Sequence, residues 1–409
     1  MSKKTLLVIG AGAAGFFCAV NAARLNPVLK VMLVEKAGQV LRKVKISGGS
    51  RCNVTHACFD RQEMANCYPR GGRFLRKAFH RFFTTDTIDW FQSRGVPLKT
   101  EADGRMFPEA NTSQAIIDCL LQEMHRYNIE LHLHFAVVKI EPLEQGFHVY
   151  QSSGNRQFAD FVMIACGGFS QAAHFEWLSN LKLKLEDPVP ALFTLNFSGH
   201  ALNKLMGITA TNASIKIAGC KKNSSGPILI THWGLSGPAV LRLSSFFARE
   251  LADAGYRLKL IVNWSATYNA QSLAEKIREQ RFIAPAKKVS NGNFTGMAAR
   301  LWEFLLHESG IDDNCRWADV STVMMNRLAV NCTAYEMTAN GKTTFKEEFV
   351  SAGGIALEEI DVNSMMSRRY KGLYFGGEIM DVDGITGGYN FQHAWTSGFI
   401  AAAHIAANG

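Results

Sequence analysis

The chain has 409 residues, 47% hydrophobic and 19% charged, a globular composition long enough for two or three domains. It shows no low-complexity tract and no internal repeat, which excludes disordered, fibrous and solenoid classes. The formal charge of +9 is concentrated, because between Val40 and Arg81 ten Lys/Arg face only Asp60 and Glu63. Such a district suits either an anionic partner on one face or a solvated basic surface.

The first element is "TLLVIGAGAAGFFCAVNAA", a charge-free run that begins at Thr5. Its glycines interrupt the run where a strand would turn into a helix, so the expectation is a cytoplasmic protein without a membrane partner. Gly10-x-Gly12-x-x-Gly15 is a dinucleotide fingerprint: a tight turn, a close approach to pyrophosphate, and a helix packed on a strand. Ala13 and Ala14 lie in the first helical turn, where N–H groups and the positive dipole end meet phosphates. A second strand, "KVMLVE", ends in Glu35, placed to accept ribose hydroxyls, and Lys36 follows it.

"KVKISGGSRCNVTH" comes next (Lys43 to His56), with Gly48 and Gly49 suited to a close backbone approach. Lys43 offers a charge to a pyrophosphate or substrate, while Arg51 and Asn53 offer hydrogen bonds to cofactor or substrate carbonyls. Cys52 admits three readings: a packed small residue, a proton donor tuned by Arg51 and a helix start, or half of a redox disulfide. The nine cysteines form no C-x-x-C pair and no zinc spacing, so no metal is expected, and their odd number suits a reducing compartment.

"YPRGGRFLRKAFHRFF" interleaves cations with aromatics. Arg70, Arg73, Arg76 and Lys77 are candidates for nucleic-acid phosphates. Helical spacing favours a core position for the phenylalanines over base stacking. The alternation in "LHLHFAVVKIEPLEQGFHVY" predicts a small sheet over the nucleotide half, with Val137 as a cofactor contact. "DFVMIACGGFS" is a further strand running into Ala165, Cys166 and Gly167.

After Pro188 and Pro190, β-rich stretches and two amphipathic helices, "SLAEKIREQ" and "GMAARLWEFLLHESG", predict an inserted β-barrel-like plus helical domain over 191–348. Facing the dinucleotide-binding domain, it would form a cleft for substrate. His232 in "THWGLSGPAVLRLS" is either a proton relay in that cleft or a satisfied structural histidine. The sheet is expected to resume near "FVSAGGIAL". In "GLYFGGEIMDVDGITGGYNFQHAWTSG", a strand leads to Gly377 and Glu378, then to a helix that starts at Gly388, Tyr389 and Asn390.

Three strand ends with glycine turns, far apart in sequence, suit one long ligand across the edge of a parallel sheet. Flavoproteins of the glutathione-reductase fold have this layout, which makes the cofactor FAD. No second G-x-G-x-x-G is present, leaving NAD(P)H only as a transient electron donor. The FAD domain is accordingly split, 1–190 and 349–409. No Ser-His-Asp triad or carboxylate dyad supports hydrolysis.

The chain resembles, over essentially its whole length, the BaiN-like or aminoacetone-oxidase-type bacterial flavoproteins, a family that includes a ribosomal RNA dihydrouridine synthase. "GAGAAG", "KVKISGGSRCNVTH", "THWGLSGPAVLRLS" and the late glycine-rich segment carry the resemblance. Ser50 stands where a third glycine is expected, and Cys166 where related flavoproteins often have Thr. The resemblance implies reduction of C5=C6 of a uridine in ribosomal RNA, with a proton delivered to C5 by an acid such as Cys52. Two rivals remain open: a small-molecule oxidase or reductase for an amine or steroid-like ligand, and a non-catalytic, flavin-stabilised RNA-binding factor.

Overall fold

The computed structural model describes residues 3–343 and 350–409. The chain forms two compact units, Met1–Pro190 with Lys346–Gly409, and Ala191–Phe345. The expected return boundary at 348/349 lies outside the described residues.

The first unit is built on a parallel sheet. β1 (Thr5–Ile9) is buried from Leu6 onward, as a central strand covered on both faces requires. It leads into α1 (Ala13–Leu25), β2 (Lys30–Val34) and α2 (Arg42–Ser50), whose helical geometry breaks at Ser47. Next come β3 (Thr55–His56), α3 (Arg61–Asn66), α4 (Gly72–Ala78), α5 (Thr84–Gln92), β4 (Leu98–Thr100), β5 (Arg105–Pro108) and α6 (Ser113–Arg126). β3, β5 and β4 form a small antiparallel sheet. β6 (Glu130–His132) extends the main sheet, and the predicted small sheet is β7 (Val137–Pro142), β8 (Phe147–Gln151) and β9 (Arg156–Ala159). β10 (Phe161–Ile164) then returns beside β1. The main order is Leu373–Phe375, β10, β1, β2, β6, parallel throughout.

The last helix, Tyr389–Asn408, is apolar nearly all round and lies in the core against α1. A Cβ at Gly398 would sit 2.7 Å from the Ala14 carbonyl oxygen, so the helices approach to backbone contact there. One expectation is corrected. Val350–Ile355 does not rejoin the main sheet but pairs with Leu185–Ala191, and the main sheet resumes at Leu373–Phe375. Gly353 and Gly354 explain the placement, since Cβ atoms there would lie 2.5 Å from the Asp187 oxygen and 2.4 Å from the Ile379 oxygen.

The second unit holds a seven-stranded sheet in the order Tyr335–Thr338, Lys259–Asn263, Thr209–Ile217, Asn223–Ile230, Gly234–Ser236, Thr194–Asn196, Gly341–Thr343. Its strands are antiparallel. Trp264, Trp302 and Trp317 are buried in the core that this sheet shares with helices Ala270–Ile283, Ala299–Glu308 and Thr322–Thr333. The first helix contains the predicted segment "SLAEKIREQ", and the second occupies Ala299–Glu308 within the predicted "GMAARLWEFLLHESG".

Candidate active site

Ile9 lies opposite both Val34 and Ile164, and Ile164 opposite Phe375, so the segments after these four strands emerge along one edge. Gly10 has φ +103°, and a Cβ there would lie 2.5 Å from the Ala165 carbonyl oxygen. At Gly15 the Cβ would lie 1.9 Å from the Gly10 carbonyl oxygen. The protein itself requires both glycines. Gly12 is different: its backbone is extended (φ −92°, ψ −169°), a Cβ would meet no protein atom within 4 Å, and it caps α1 without a side-chain hydrogen bond. Neither conformation nor packing explains this glycine, whereas close approach of a phosphate to the first turn at Ala13 and Ala14 does.

Glu35 accepts the Ala11 N–H at 3.0 Å on Oε2 and the Ala37 N–H at 2.9 Å on Oε1. These bonds fix the carboxylate beside the turn and leave further lone pairs for a ligand hydroxyl. Lys36 is exposed, its ammonium 5.7 Å from the centre of the Phe169 ring, and Val137 opens β7. After β10, the Ala165 N–H donates to Ile9 at 2.8 Å and Gly167 is left-handed at φ +79°. Burial pushes the Cys166 thiol up to about 12.

Glu378 pairs with Lys43 at 2.5 Å and accepts the Ser351 N–H at 2.9 Å. A Cβ at Gly168 would come 2.8 Å from Glu378 Oε1, so that glycine makes room for the carboxylate. The Gly377 peptide is held from the last helix, its N–H donating to Ser397 Oγ at 2.9 Å and its carbonyl lying 3.1 Å from His393 Nε2. His393, which the sequence reading missed, is fully buried, and loss of solvation pushes its imidazole down to about 4. The folded value lies below the ordinary 6.5, so stability is full above about pH 6.5 and is lost as pH falls from there towards about 4. The contribution is on the order of 3 kcal/mol. We expect His393→Gln to flatten this part of the curve in urea unfolding of flavin-free protein; an unchanged pH slope would remove His393 as its source.

The segment that opens the site is strained. Gly48, Gly49, Ser50 and Cys52 all have left-handed backbones, at φ +58°, +67°, +64° and +60°. Ser50 thus occupies a conformation that favours glycine, which accounts for the glycine the resemblance expects there. Gly49 is exposed, with open space around its Cβ position. Three expectations for this segment are corrected. The Cys52 thiol is 0% exposed, and burial raises it to about 12 against the opposing Ser47 hydrogen bond, so Arg51 does not tune it downward. Arg51 instead pairs with Glu101 at 2.6 Å and lies over the Phe107 ring at 4.0 Å. The Asn53 amide is oriented by its neighbours: its nitrogen donates to the Thr55 and Met106 carbonyls and its oxygen accepts the Gly388 N–H at 3.0 Å.

The start of the last helix is shaped in the same way. Asn390 clamps Gly384, accepting its N–H at 2.8 Å and donating to its carbonyl at 3.1 Å. The Tyr389 ring stacks on His56 at 4.7 Å, and its carbonyl accepts the Tyr68 hydroxyl at 2.6 Å. His56 was not among the sequence candidates. It is half-buried, its Nδ1 is 3.0 Å from the Gly387 carbonyl, and burial lowers its pKa.

Among the substrate candidates, Arg70 is corrected, because its guanidinium grips the fully buried Asp383 and is itself largely buried. Arg73, Arg76 and Lys77 are exposed on α4; Phe79, Phe82 and Phe83 are in the core, but they follow the helix, which ends at Ala78, and Phe74 on it is half-buried. His232 belongs to the second unit, exposed, with its ring 3.7 Å from that of Trp233.

The model of the HI0933-like protein Rossmann domain matches residues 4–404. The chain belongs to this family. The HI0933-like chain is 29% identical to the ribosomal RNA dihydrouridine synthase of Escherichia coli (strain K12), over 100% of this chain and 99% of that one. It is 27% identical to the 3-dehydro-bile acid delta(4,6)-reductase of Clostridium scindens, over 96% and 97% of the two chains. Among solved structures, the 3-ketosteroid delta1-dehydrogenase of Sterolibacterium denitrificans matches with a TM-score of 0.51 at 13% identity, covering 100% of both chains. This HI0933-like protein is an FAD-dependent oxidoreductase of Rossmann fold. Its residues fit that cofactor, since Gly12 leaves a cradle open at the α1 N-terminus and Glu35 and Glu378 are fixed along the same edge. Among the described residues, no helix is long and apolar enough to cross a membrane, and no cluster of three or more His/Cys/Asp/Glu could hold a metal.

Proposed function

We propose that this flavoprotein reduces the C5=C6 bond of a uridine in ribosomal RNA. One observation carries the RNA reading: α4 and the turn after it expose Arg73, Arg76, Lys77, His80 and Arg81, while Phe79 between them is buried and Phe74 half-buried. Among the described residues Arg73, Lys77 and Arg81 have no carboxylate partner. Unpaired cations in a row suit successive phosphates, whereas a small apolar substrate has no use for them. The two dihydrouridine synthases among the relatives, 26% and 29% identical, support the choice of uridine.

FAD, when bound, supplies the hydride. The chain must hold the splayed base against the cofactor edge, exclude water and deliver a proton to C5. Lys43, Gly49 and the Gly377–Glu378 turn hold the cofactor side in this reading. NAD(P)H serves as the transient electron donor.

Reversing charge at Arg73, Arg76 and Lys77 is expected to leave flavin content unchanged and to make the salt dependence of RNA binding shallower, by about 0.7–0.9 for each phosphate that is no longer neutralised. Mass spectrometry of ribosomal RNA from a deletion strain, complemented with wild type or the triple variant, checks the product. Dihydrouridine that persists after deletion would sink the proposal.

Cys52 is enclosed by protein, so we expect Cys52→Ala to reoxidise with substrate within a few-fold of the wild-type rate. Single-turnover kinetics decide: a loss of about 10²–10⁴-fold would restore the acid role to the thiol. The bile-acid relative supports one second reading, an enone reductase for a steroid-like ligand, which predicts reoxidation by such a ligand and none by RNA.

A further inference from the structure

We infer that a cleft beside the C-terminal half of the last helix is an RNA-anchoring subsite that takes one unpaired base and its phosphate. The inference deepens the RNA reading above and rests on it. The cleft has a volume of about 460 Å³ and belongs wholly to the first unit. Phe399, Ala403 and His404 of the last helix form one wall, Asp361 and Asn363 another, and Arg81 the rim.

Each wall supplies a part that nucleotide recognition needs. Phe399 is stacked on Phe82 at 4.5 Å with 29° between the rings, which holds it rigid and leaves the rest of its ring to the cleft. A fixed aromatic beside the small Ala403 is a platform for a base of any identity. Asp361 is spent on its own turn, accepting Ser364 Oγ at 2.9 Å and the Asn363 N–H at 3.2 Å. That turn presents the exposed Asn363 amide, which donates one N–H to Asp361 Oδ1 at 3.3 Å and keeps its second N–H and its oxygen for a base edge. His404 Nδ1 lies 2.9 Å from the Tyr374 hydroxyl. When the phenol donates, the neutral imidazole carries its proton on Nε2, a donor for a phosphate or ring carbonyl.

The cations select a polymer over a free nucleotide. Arg81 ends the row begun by Arg73 and Lys77, and a single phosphate needs only one of the three. His404 lies sixteen residues along the helix from its cap at Gly388, about 24 Å at 1.5 Å per residue. That separation suits an anchor for flanking RNA, not the reacting base.

The test uses the flavin-loaded full chain and a short single-stranded RNA carrying 4-thiouridine. Ala403→Phe fills the cleft without touching the cofactor edge, and Arg81→Ala removes the rim cation. Each should keep full flavin content and weaken RNA binding about tenfold in fluorescence anisotropy. Photo-crosslinks should map to the peptide containing Phe399 and fade in Ala403→Phe. Wild-type RNA affinity in Ala403→Phe, with no crosslink at Phe399 in the wild-type protein, overturns the subsite while leaving RNA binding by α4 intact. If NADPH competes for the cleft and RNA does not, the site is a free-nucleotide site and the inference falls. If wild-type protein binds no RNA, the proposed function fails first and takes the inference with it.

Discussion

Gly12→Asp should yield a colourless, folded protein that is at least as stable as flavin-free wild type. The extended backbone at Gly12 suits any residue, and a Cβ there meets nothing within 4 Å. Asp is also among the best N-cap residues, and Gly12 caps α1 with no side-chain bond at present. The new carboxylate would accept first-turn N–H groups and add roughly a few tenths of a kcal/mol over the glycine cap. Those same N–H groups are what a pyrophosphate needs, and a fixed negative charge repels it. A loss of about 4 kcal/mol in binding raises Kd about a thousandfold, enough to empty the site during purification and abolish activity. Absorbance of the flavin, with thermal unfolding of both flavin-free proteins, measures the two effects separately. Gly15→Ala is the contrast, because its Cβ would lie 1.9 Å from the Gly10 oxygen and fold and flavin should fail together. A yellow Gly12→Asp protein would mean that no phosphate lies at this turn.

Local features of the site were legible in the sequence because each needs only neighbouring residues. The Gly10–Gly15 turn, Glu35 at a strand end and the buried phenylalanines after α4 are of this kind. What the sequence hid is the partner. Arg70 and Arg73 look alike three residues apart, yet only Arg70 meets Asp383, 313 positions away. Arg51 looks like a ligand for a carbonyl until Glu101 is placed beside it. Cys52 carries no sequence mark of its complete enclosure, nor Val350–Ile355 of its pairing with Leu185–Ala191. His393 lies within the late glycine-rich segment, but its role depends on the Gly377 peptide being folded against it.

Arg70→Ala should destabilise the protein by about 3–5 kcal/mol, far more than reversing Arg73, Arg76 and Lys77 together. Arg70 and Asp383 form a two-pronged ion pair in which the carboxylate is 0% exposed. Burial raises the Asp383 carboxyl above the ordinary range, and the Arg70 guanidinium opposes that rise. Without Arg70 the carboxyl rises further, so the folded variant carries a charge it can shed by binding a proton. A raised folded value means stability that is present below the ordinary carboxyl value of 3.8 and lost as pH climbs through the folded one. The deficit of Arg70→Ala relative to wild type should therefore shrink on acidification towards about pH 4. The His393 term is common to both proteins and cancels in that difference. Asp383→Asn, which removes the charge but keeps the shape, should show a deficit without this pH dependence. Urea unfolding of the three proteins across that range decides. A small, pH-independent cost for Arg70→Ala together with weakened RNA binding would return Arg70 to the substrate face.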